Sequence, residues 1–268
     1  MINFLRADKN DKAQLKKLWL ECFEDTEQAV DLFFDRNKYN MRAFCAKDND
    51  KVVSALYLLD VTLNGQKAHY LCGASTKSDY RKRGIMSGLI KLSLENAVAD
   101  GDKFSLLMPA KESLYGYYAS LGYTTECFAQ KRIYSRKDLL SFADCSEKKV
   151  CDFEALQRIS FDNNFLLWNN KFGTFACEYY RLYGTTVIST SDCFALLDEN
   201  DGCADVFYAV STSKSVLAKR LLENSSAERF CITYKANKNS DKEKYGMIKS
   251  LDSNIKIPEN VFIGITLM

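Results

Sequence analysis

One stretch of this chain is a basic loop, Lys77-Ser78-Asp79-Tyr80-Arg81-Lys82-Arg83-Gly84-Ile85-Met86-Ser87. Hydrophobic spacing predicts a strand before it, Tyr70 to Thr76, and a helix that begins within it, Gly84 to Ala99. A helix start presents unpaired backbone N–H groups and a positive dipole end, which suit a pyrophosphate. Gly84 also lets the main chain approach a phosphate without a Cβ in the way. An isolated basic triplet is usually a solvated turn, but its position between strand and helix favours an anion site.

The neighbouring segments predict one α/β (α+β) domain around this loop. Upstream, the pattern indicates a strand, two helices and a hairpin whose turn is Asn64-Gly65. Downstream, it indicates a helix stop at Gly101 and then strand, helix, strand. The predicted elements are a strand at Phe4 to Arg6, a helix capped by Asp11, a helix at Glu27 to Phe34, strands at Met41 to Ala46, Val52 to Leu63, Lys67 to Thr76 and Phe104 to Met108, a helix at Glu112 to Ser120 and a strand at Tyr123 to Tyr134.

Composition excludes several classes of protein. The 268 residues, 47% of them hydrophobic, are enough for about two globular domains. The net charge of +2 gives no field that would attract nucleic acid. No run is long and apolar enough for a signal peptide or a membrane span, so we expect a cytoplasmic protein without a membrane partner. The ten cysteines form no Cys-x-x-Cys pair and there is one histidine, which argues against a disulfide scaffold and against a metal site.

Two motifs, in this order, resemble the GNAT superfamily of N-acetyltransferases. Arg81 and Gly84 match its acetyl-CoA motif, Gln/Arg-x-x-Gly-x-Gly/Ala after a strand, whereas Met86 departs from the usual small last residue. Downstream, Tyr118-Ala119-Ser120-Leu121-Gly122-Tyr123 resembles the Tyr-x-x-x-Gly-Phe/Tyr signature. The closest resemblance is to the bacterial branch with two GNAT domains that is related to the enhanced-intracellular-survival aminoglycoside acetyltransferases. It covers residues 1–140 well.

This resemblance implies a GNAT fold, a mixed and mostly antiparallel sheet flanked by helices, with acetyl-CoA as co-substrate. The end of one strand would pair with the pantetheine arm and the basic loop would hold the pyrophosphate. Tyr118 would protonate the departing thiolate as general acid; the alternative is aromatic packing with Tyr115 and Tyr117. The cofactor residues implied by the resemblance are Ala74, Ser75, Thr76, Arg81, Lys82, Arg83, Gly84, Ile85, Met86, Ser87 and Ser113.

The acceptor side is expected in the helix-turn-helix region near residue 25. In the superfamily this region commonly walls the acceptor pocket, and here it contains Phe23, Glu24, Asp25 and Phe33. Carboxylates there would suit a cationic amine, while a solvated loop accounts equally well for the two acidic residues. The acceptor ammonium must lose a proton to a base or a water chain. His69 is the only histidine, and on a hairpin strand a structural imidazole is the better interpretation.

The second half resembles a degenerate GNAT-like domain, so we expect domains at 1–140 and 145–268. The charged stretch from Asp138 to Asp152 marks the boundary. Ser211-Thr212-Ser213-Lys214-Ser215 stands where the phosphate loop would be and lacks Arg-x-x-Gly, so we expect no CoA site there. The predicted elements are helical material at Phe153 to Tyr183, strands at Thr186 to Thr190, Cys193 to Asp198 and Ala204 to Val210, a helix at Ser213 to Glu223, and strands at Arg229 to Tyr234, Tyr245 to Lys249 and Val261 to Leu267.

Three functions fit these observations. The first is an acetyl-CoA-dependent transferase that acetylates the primary amine of a small molecule by direct attack in a ternary complex. The second is an acetyltransferase acting on a protein N-terminus or lysine, and the third is a non-catalytic CoA-binding or interaction protein. We expect the first. A deep cleft would favour it, an open groove would favour the second, and a Tyr118 hydroxyl pointing away from the site would favour the third.

Overall fold

The computed structural model describes residues 1–143, 151–237 and 241–267. The chain forms two compact units that are discontinuous in sequence. The first comprises Met1–Thr125, Gly246–Ile257 and Leu267–Met268, and the second comprises Glu126–Tyr245 and Pro258–Thr266. No helix among the described residues is long and apolar enough to cross a membrane.

The first 125 residues contain five strands and four helices. They are β1 (Ile2–Arg6), α1 (Lys12–Cys22), α2 (Glu27–Arg36), β2 (Met41–Asp48), β3 (Lys51–Leu63), β4 (Gln66–Thr76), α3 (Ile85–Ala99), β5 (Phe104–Leu107) and α4 (Ser113–Ser120), with one 3₁₀ turn at Ser78–Tyr80. These bounds confirm the predicted elements of this part to within a few residues. Asp11 stands at the start of α1, but its side chain makes no cap; it accepts the Asp8 N–H and pairs with Lys47 instead.

The later segment contains seven strands and four helices among the described residues. They are β6 (Phe128–Ser135), α5 (Arg136–Phe142), α6 (Phe153–Ser160), β7 (Leu166–Leu167), α7 (Asn170–Leu182), β8 (Thr186–Ser189), β9 (Cys193–Asn200), β10 (Cys203–Ser211), α8 (Lys214–Asn224), β11 (Arg229–Lys235) and β12 (Glu243–Lys244). A last strand, β13 (Met247–Ser250), belongs to the first unit.

The sheet of the first unit has the strand order β1-β2-β3-β4-β5-β13. Every neighbouring pair is antiparallel except β4 and β5, which are parallel. The β3–β4 hairpin turns at Asn64 and Gly65, both with positive φ, as the dipeptide predicts. Because side chains alternate along a strand, Leu56 and Leu58 pack with α3 in one core cluster, while Tyr57 meets the rings of α1 and α2. The mixed, mostly antiparallel sheet confirms the predicted fold class.

The sheet of the second unit has the order β12-β6-β11-β10-β9-β8. It is antiparallel except for one parallel pair, β10 and β11, which α8 connects. The core of this unit includes Leu197, Val206, Leu221 and Phe230. One parallel pair joined by a helix thus occurs in each unit.

The units divide at Thr125, earlier than the predicted boundary at residues 140–145. The reason is long-range strand pairing. β6 pairs with β11 in the second sheet, and β13 returns to pair with β5 in the first. Part of the charged boundary stretch, residues 144–150, lies outside the described residues, as does the predicted start of the second domain.

Three elements predicted after residue 122 differ in detail. The strand predicted from Tyr123 begins only at Phe128, because the chain crosses between the units there. The helical material predicted from Phe153 to Tyr183 forms two helices: α6 ends at Ser160, and α7 begins after its N-cap Asn169. The predicted strand at 261–267 is absent from the described residues: Val261 and Phe262 form only isolated bridges.

Candidate active site

A cavity of about 570 Å³ opens beside the basic loop of the first unit. It lies between the end of β4, the start of α3 and α4. Of the eleven residues that the resemblance assigns to the cofactor, all but Arg83 line this cavity. Those that line it are Ala74, Ser75, Thr76, Arg81, Lys82, Gly84, Ile85, Met86, Ser87 and Ser113.

The cavity exists because β4 extends beyond the end of its parallel neighbour, β5. The last paired residues are Tyr70 and Leu106, and β5 ends at Leu107, whereas β4 continues to Thr76. Backbone groups must be paired with protein, water or ligand. The β5-facing edge of β4 near Ala74 and Ser75 is therefore available to the amide groups of an extended ligand.

A bulge in β4 shapes this edge. The register against β3 shifts between Ala55 and Tyr57, and Gly73 opposite has a φ of +60°. A Cβ at Gly73 would lie 2.6 Å from a Trp19 ring carbon and 2.7 Å from one of Tyr57. Only glycine fits this close approach. A lone glycine within a strand pattern signals such a bulge, but our sequence analysis did not identify it.

The basic loop reaches the helix through two residues in the left-handed region. Lys82 has a φ of +60° and Gly84, the N-cap of α3, a φ of +73°. Such alternation turns successive backbone N–H groups toward one concave face that attracts anions. A Cβ added to Gly84 would meet no protein atom within 4 Å, so the space beside it is open.

The three cations of the loop have different environments. Arg81 donates from Nε to the Thr76 carbonyl oxygen at 2.9 Å, which ties the loop to the end of β4. Lys82 lines the cavity with Arg81. The guanidinium of Arg83 lies over the Tyr80 ring, 5.2 Å from its centre, and does not line the cavity.

A second, smaller cavity of about 180 Å³ meets the first at Tyr118. Five residues line both cavities: Phe23, Ala74, Ala110, Leu114 and Tyr118. The Tyr118 side chain is nearly enclosed, with 8% of the residue exposed. Burial, with a smaller contribution from neighbouring Tyr117, raises the pKa of Tyr118 to about 12. The hydroxyl is thus protonated at neutral pH and can donate a hydrogen bond or a proton.

The predicted acceptor residues are only partly brought together. Phe23 lines both cavities, and Asp25 lines the smaller one. The Asp25 carboxylate accepts a hydrogen bond from Trp19 Nε1 at 2.6 Å, which holds it in place. Phe33 is buried against Trp19, with ring centres 4.6 Å apart. Neither Phe33 nor Glu24 lines either cavity.

Several lining residues were not predicted. Cys22, at the end of α1, and Tyr80 line the larger cavity, as does Tyr117, whose hydroxyl lies 3.1 Å from Ser87 Oγ. The helical spacing of Cys22 with Leu18 indicated only a core position. Leu267 lines the smaller cavity. No local signal could place it there, because it is separated from the rest of the site by about half the chain.

His69 belongs to a buried ion cluster rather than to either cavity. It is 0% exposed, and its Nδ1 lies 2.6 Å from an Asp102 carboxylate oxygen. Arg42 donates to the same carboxylate at 2.6 Å and to Asp60 and Asp100. The structural interpretation of this histidine therefore agrees with its surroundings.

One family model matches part of the chain, within the first unit. Residues 4–125 match the sequence profile of the acetyltransferase (GNAT) domain. No curated protein sequence matches the chain.

Solved structures resemble the fold of nearly the whole chain. A GCN5-related N-acetyltransferase from Anabaena variabilis has a TM-score of 0.70 at 14% identity, and a probable N-acyltransferase from Enterococcus faecalis has 0.69 at 11%. Each match covers 94% of this chain and 73% of the other. Eis1 from Mycobacterium abscessus matches with a TM-score of 0.62 at 11% identity, covering 94% of this chain and 74% of its own.

The cavity residues suit a CoA thioester, the co-substrate that the resemblance implies. A free strand edge can meet the amides of the pantetheine arm, and the helix start with Arg81 and Lys82 offers N–H groups and positive charge to the pyrophosphate. The open space beside Gly84 leaves room for a phosphate to approach the main chain. Residues 4–125, which are similar to an acetyltransferase (GNAT) domain, thus include every residue that lines the larger cavity.

Proposed function

We propose that this chain transfers the acetyl group of acetyl-CoA to the primary amine of a small molecule, by direct attack in a ternary complex. The observation that carries the proposal is the meeting of two cavities at Tyr118. The larger suits the cofactor and the smaller suits an acceptor. Two reactants held on either side of one side chain would react as if the step were unimolecular.

The cofactor would lie along β4 with its phosphates at the start of α3. Main-chain groups of Ala74 to Thr76 would pair with pantetheine, and the loop from Arg81 to Ser87 would hold the pyrophosphate. Ser113, at the start of α4, lines the same cavity. Arg83 would add positive charge from outside the cavity, since its guanidinium lies over the Tyr80 ring.

In the chemical step, the neutral amine nitrogen attacks the thioester carbonyl carbon and forms the new C–N bond. Backbone N–H groups of the β4 bulge would stabilise the oxyanion. The C–S bond then breaks, and the thiolate of CoA takes a proton from the Tyr118 hydroxyl. The proton that the new amide nitrogen loses goes to water and restores the phenol.

The smaller cavity supports a small acceptor. At about 180 Å³ it has room for a short amine rather than for an extended peptide. Its walls are largely apolar, with Phe23, Leu71 and Met108, and Asp25 supplies one carboxylate. A negative charge attracts a cationic amine, while apolar surroundings favour the neutral form that attacks.

The second unit supports a tandem arrangement of GNAT-like domains. In each unit a strand leads into a helix that returns to a parallel neighbouring strand, β4-α3-β5 in the first and β10-α8-β11 in the second. The loop before α8 has no counterpart of Gly84, since Ser213 stands at the N-cap with extended backbone. We therefore assign acetyl-CoA to the first unit alone.

The test is acetyl-CoA consumption over a panel of small amines and lysine peptides, followed by Tyr118→Phe with the best acceptor. We expect the variant to keep its acetyl-CoA affinity and to lose turnover on the order of 100-fold, as for a lost general acid. Tyr115→Phe is the control, because it makes the same change on the same helix outside both cavities.

If Tyr118→Phe kept its full kcat across the pH range, Tyr118 would not be the general acid. The assignment of the cofactor cavity would be unaffected. If acetyl-CoA were consumed with the peptides and not with the small amines, the acceptor would be a protein rather than a small molecule.

A further inference from the structure

We propose that the second unit binds a phosphorylated small molecule of nucleotide size in a cationic cavity at the carboxyl ends of β10 and β11. This cavity has a volume of about 510 Å³ and is formed by residues of the second unit alone. It is separate from the acetyl-CoA site, and nothing in the proposed acetyl transfer uses it.

The charge of this cavity is strongly positive and mostly uncompensated. Arg132, Arg158, Lys214 and Lys235 line it, with Asp162 as the one acidic residue of its wall. Lys235 pairs with Asp162 at 3.0 Å. Within residues 1–143, 151–237 and 241–267, the other three cations form no salt bridge. Three cations around one cavity repel each other, so a compact anion with two or three negative charges would stabilise the arrangement.

The cations come from three different elements. Arg132 lies on β6, Arg158 in the last turn of α6, and Lys214 at the first position of α8. They therefore do not form one solvated face of a single helix. Side chains from several elements commonly surround a bound polyanion. Guanidinium groups also bind phosphate oxygens in a bidentate manner.

The position in the fold favours a phosphate. β10 runs parallel to β11 and leads into α8, so the cavity lies outside the carboxyl ends of a parallel pair, where α/β sheets bind ligands. The backbone N–H groups at the start of α8 carry the positive end of the helix dipole. The Ser213 side chain accepts the Val216 N–H, and the N–H groups of Ser211 and Thr212 donate to Ser160 Oγ and to the Asp192 carbonyl oxygen. The phosphate contacts would therefore come mainly from the cationic side chains.

Aromatic rings favour a planar group beside the phosphates. Tyr134, Tyr234 and Phe161 line the cavity. The Arg132 guanidinium lies over the Tyr234 ring, 6.0 Å from its centre, so a ring and a planar cation face the same space. Nucleobases stack on such surfaces. The volume is within the range of cavities that hold molecules of nucleotide size.

The experiment uses the full chain carrying Gly84→Val, which weakens the phosphate loop of the first unit, because acetyl-CoA has an adenosine diphosphate group of its own and would compete for the second cavity. ADP is titrated calorimetrically at low salt, with pyrophosphate and citrate as comparison probes. We expect one ADP site per chain, with affinity that falls as salt is added. Pyrophosphate should bind more weakly because it lacks the rings, and citrate should bind least.

The variant Arg158→Ala/Lys214→Ala should weaken ADP binding by about tenfold or more, since two charge-assisted contacts are lost. The matched control is Arg229→Ala/Lys219→Ala, which removes one arginine and one lysine from exposed positions of the same unit outside the cavity. It should bind ADP normally. Acetyl-CoA affinity and urea unfolding should be unchanged in both variants.

The proposal would be overturned if ADP did not bind at concentrations up to about 1 mM. Equal ADP affinity in the two double variants would also overturn it. Binding of citrate without ADP would overturn the assignment to a phosphate, and pyrophosphate binding as tightly as ADP would overturn the role of the rings.

Discussion

At the scale of single residues, Gly84 links the loop to the helix that would hold the phosphates. Its φ of +73° is open to glycine and unfavourable for β-branched residues, although no neighbour would touch an added Cβ. A substitution here therefore acts through the backbone conformation of the loop and through the space taken from the ligand.

Replacing Gly84 with Val should weaken acetyl-CoA binding by about tenfold or more, because the loop must leave the left-handed region at a cost of about 1–3 kcal/mol. Calorimetry measures the affinity. Gly101→Val is the matched control: Gly101 also has positive φ (+91°) and open surroundings, but it lies at the far end of α3. Both variants should lose similar stability, and only Gly84→Val should lose affinity. Unchanged affinity would remove the main support for this site.

The buried His69 makes stability depend on pH in a range where no other side-chain type ordinarily titrates, since it is the only histidine. Burial lowers the pKa of His69 and outweighs the hydrogen bond to Asp102. Because the Asp102 carboxylate can only accept, Nδ1 carries the proton. Nε2 is buried without a hydrogen-bond partner among the described residues, so a proton there would be a buried charge without an acceptor.

We expect the free energy of unfolding to fall as the pH is lowered from 7 to 5. The folded pKa of His69 is below the unfolded value near 6.5, so the unfolded state binds the proton first and stability is lost as pH drops through that value. One group gives a slope of at most about 1.4 kcal/mol per pH unit. Urea unfolding at pH 7, 6 and 5 measures it. His69→Gln should have a lower free energy of unfolding at pH 7, but that free energy should not change between pH 7 and 5. An equal change with pH in both proteins would contradict the assignment to His69.

Asp102 contributes at lower pH. Burial by itself raises its pKa, but the hydrogen bonds and charges of His69 and Arg42 outweigh burial and hold the pKa at about 2. Its contribution to stability is present above its unfolded value near 4 and is lost as pH falls toward 2. The two groups of the cluster therefore act in the same direction but in separate pH ranges.

At the scale of elements, the bulge of β4 determines the geometry of the site. Gly73 brings the backbone of β4 against Trp19 and Tyr57, and Ala74, the next residue, lines both cavities. The aromatic cluster of α1 and α2 thus holds the strand edge where the cofactor and the acceptor would meet.

Gly73→Ala should destabilise the chain by about 1–3 kcal/mol beyond the effect of positive φ alone, because the methyl group overlaps two buried rings. Gly65→Ala separates the two effects, since Gly65 has φ +76° in the β3–β4 turn but no atom within 4 Å of a Cβ. Urea unfolding compares the two variants. Equal losses of stability would show that the rings adapt and that the bulge does not depend on this contact.

At the scale of the whole molecule, two sheets of related topology differ in their phosphate loops. The first unit has Arg81 and Gly84 at the start of α3, whereas the second has Ser213 at the start of α8. The cations of the second unit surround its cavity from other elements. The two units thus place their cations differently, in a loop before a helix in the first and around a cavity in the second.

Titration calorimetry should accordingly give one acetyl-CoA site per chain, because among the described residues only the first unit has a left-handed glycine at the start of the helix that joins its parallel strands. The comparison is Gly84→Val, in which all of the measured acetyl-CoA binding should be weaker than in the unmodified chain. Two equivalent sites in the unmodified chain, or half of the sites remaining in the variant, would contradict the assignment to one unit.

The sequence by itself determined the features that depend on neighbouring residues. The hairpin at Asn64-Gly65, the start of α3 at Gly84, its end before Gly101 and the order of the two motifs follow from backbone preferences and hydrophobic spacing over a few residues. These local signals sufficed for the fold class and the loop expected to hold the phosphates.

Only the tertiary structure decided which distant segments meet. β13 pairs with β5 across about 140 residues, which moves the division between the units to Thr125. Trp19 orients Asp25, Leu267 reaches the wall beside Tyr118, and cations from β6, α6 and α8 surround one cavity. Such contacts depend on how sheets and helices pack, a long-range free-energy balance that leaves no local pattern in the chain.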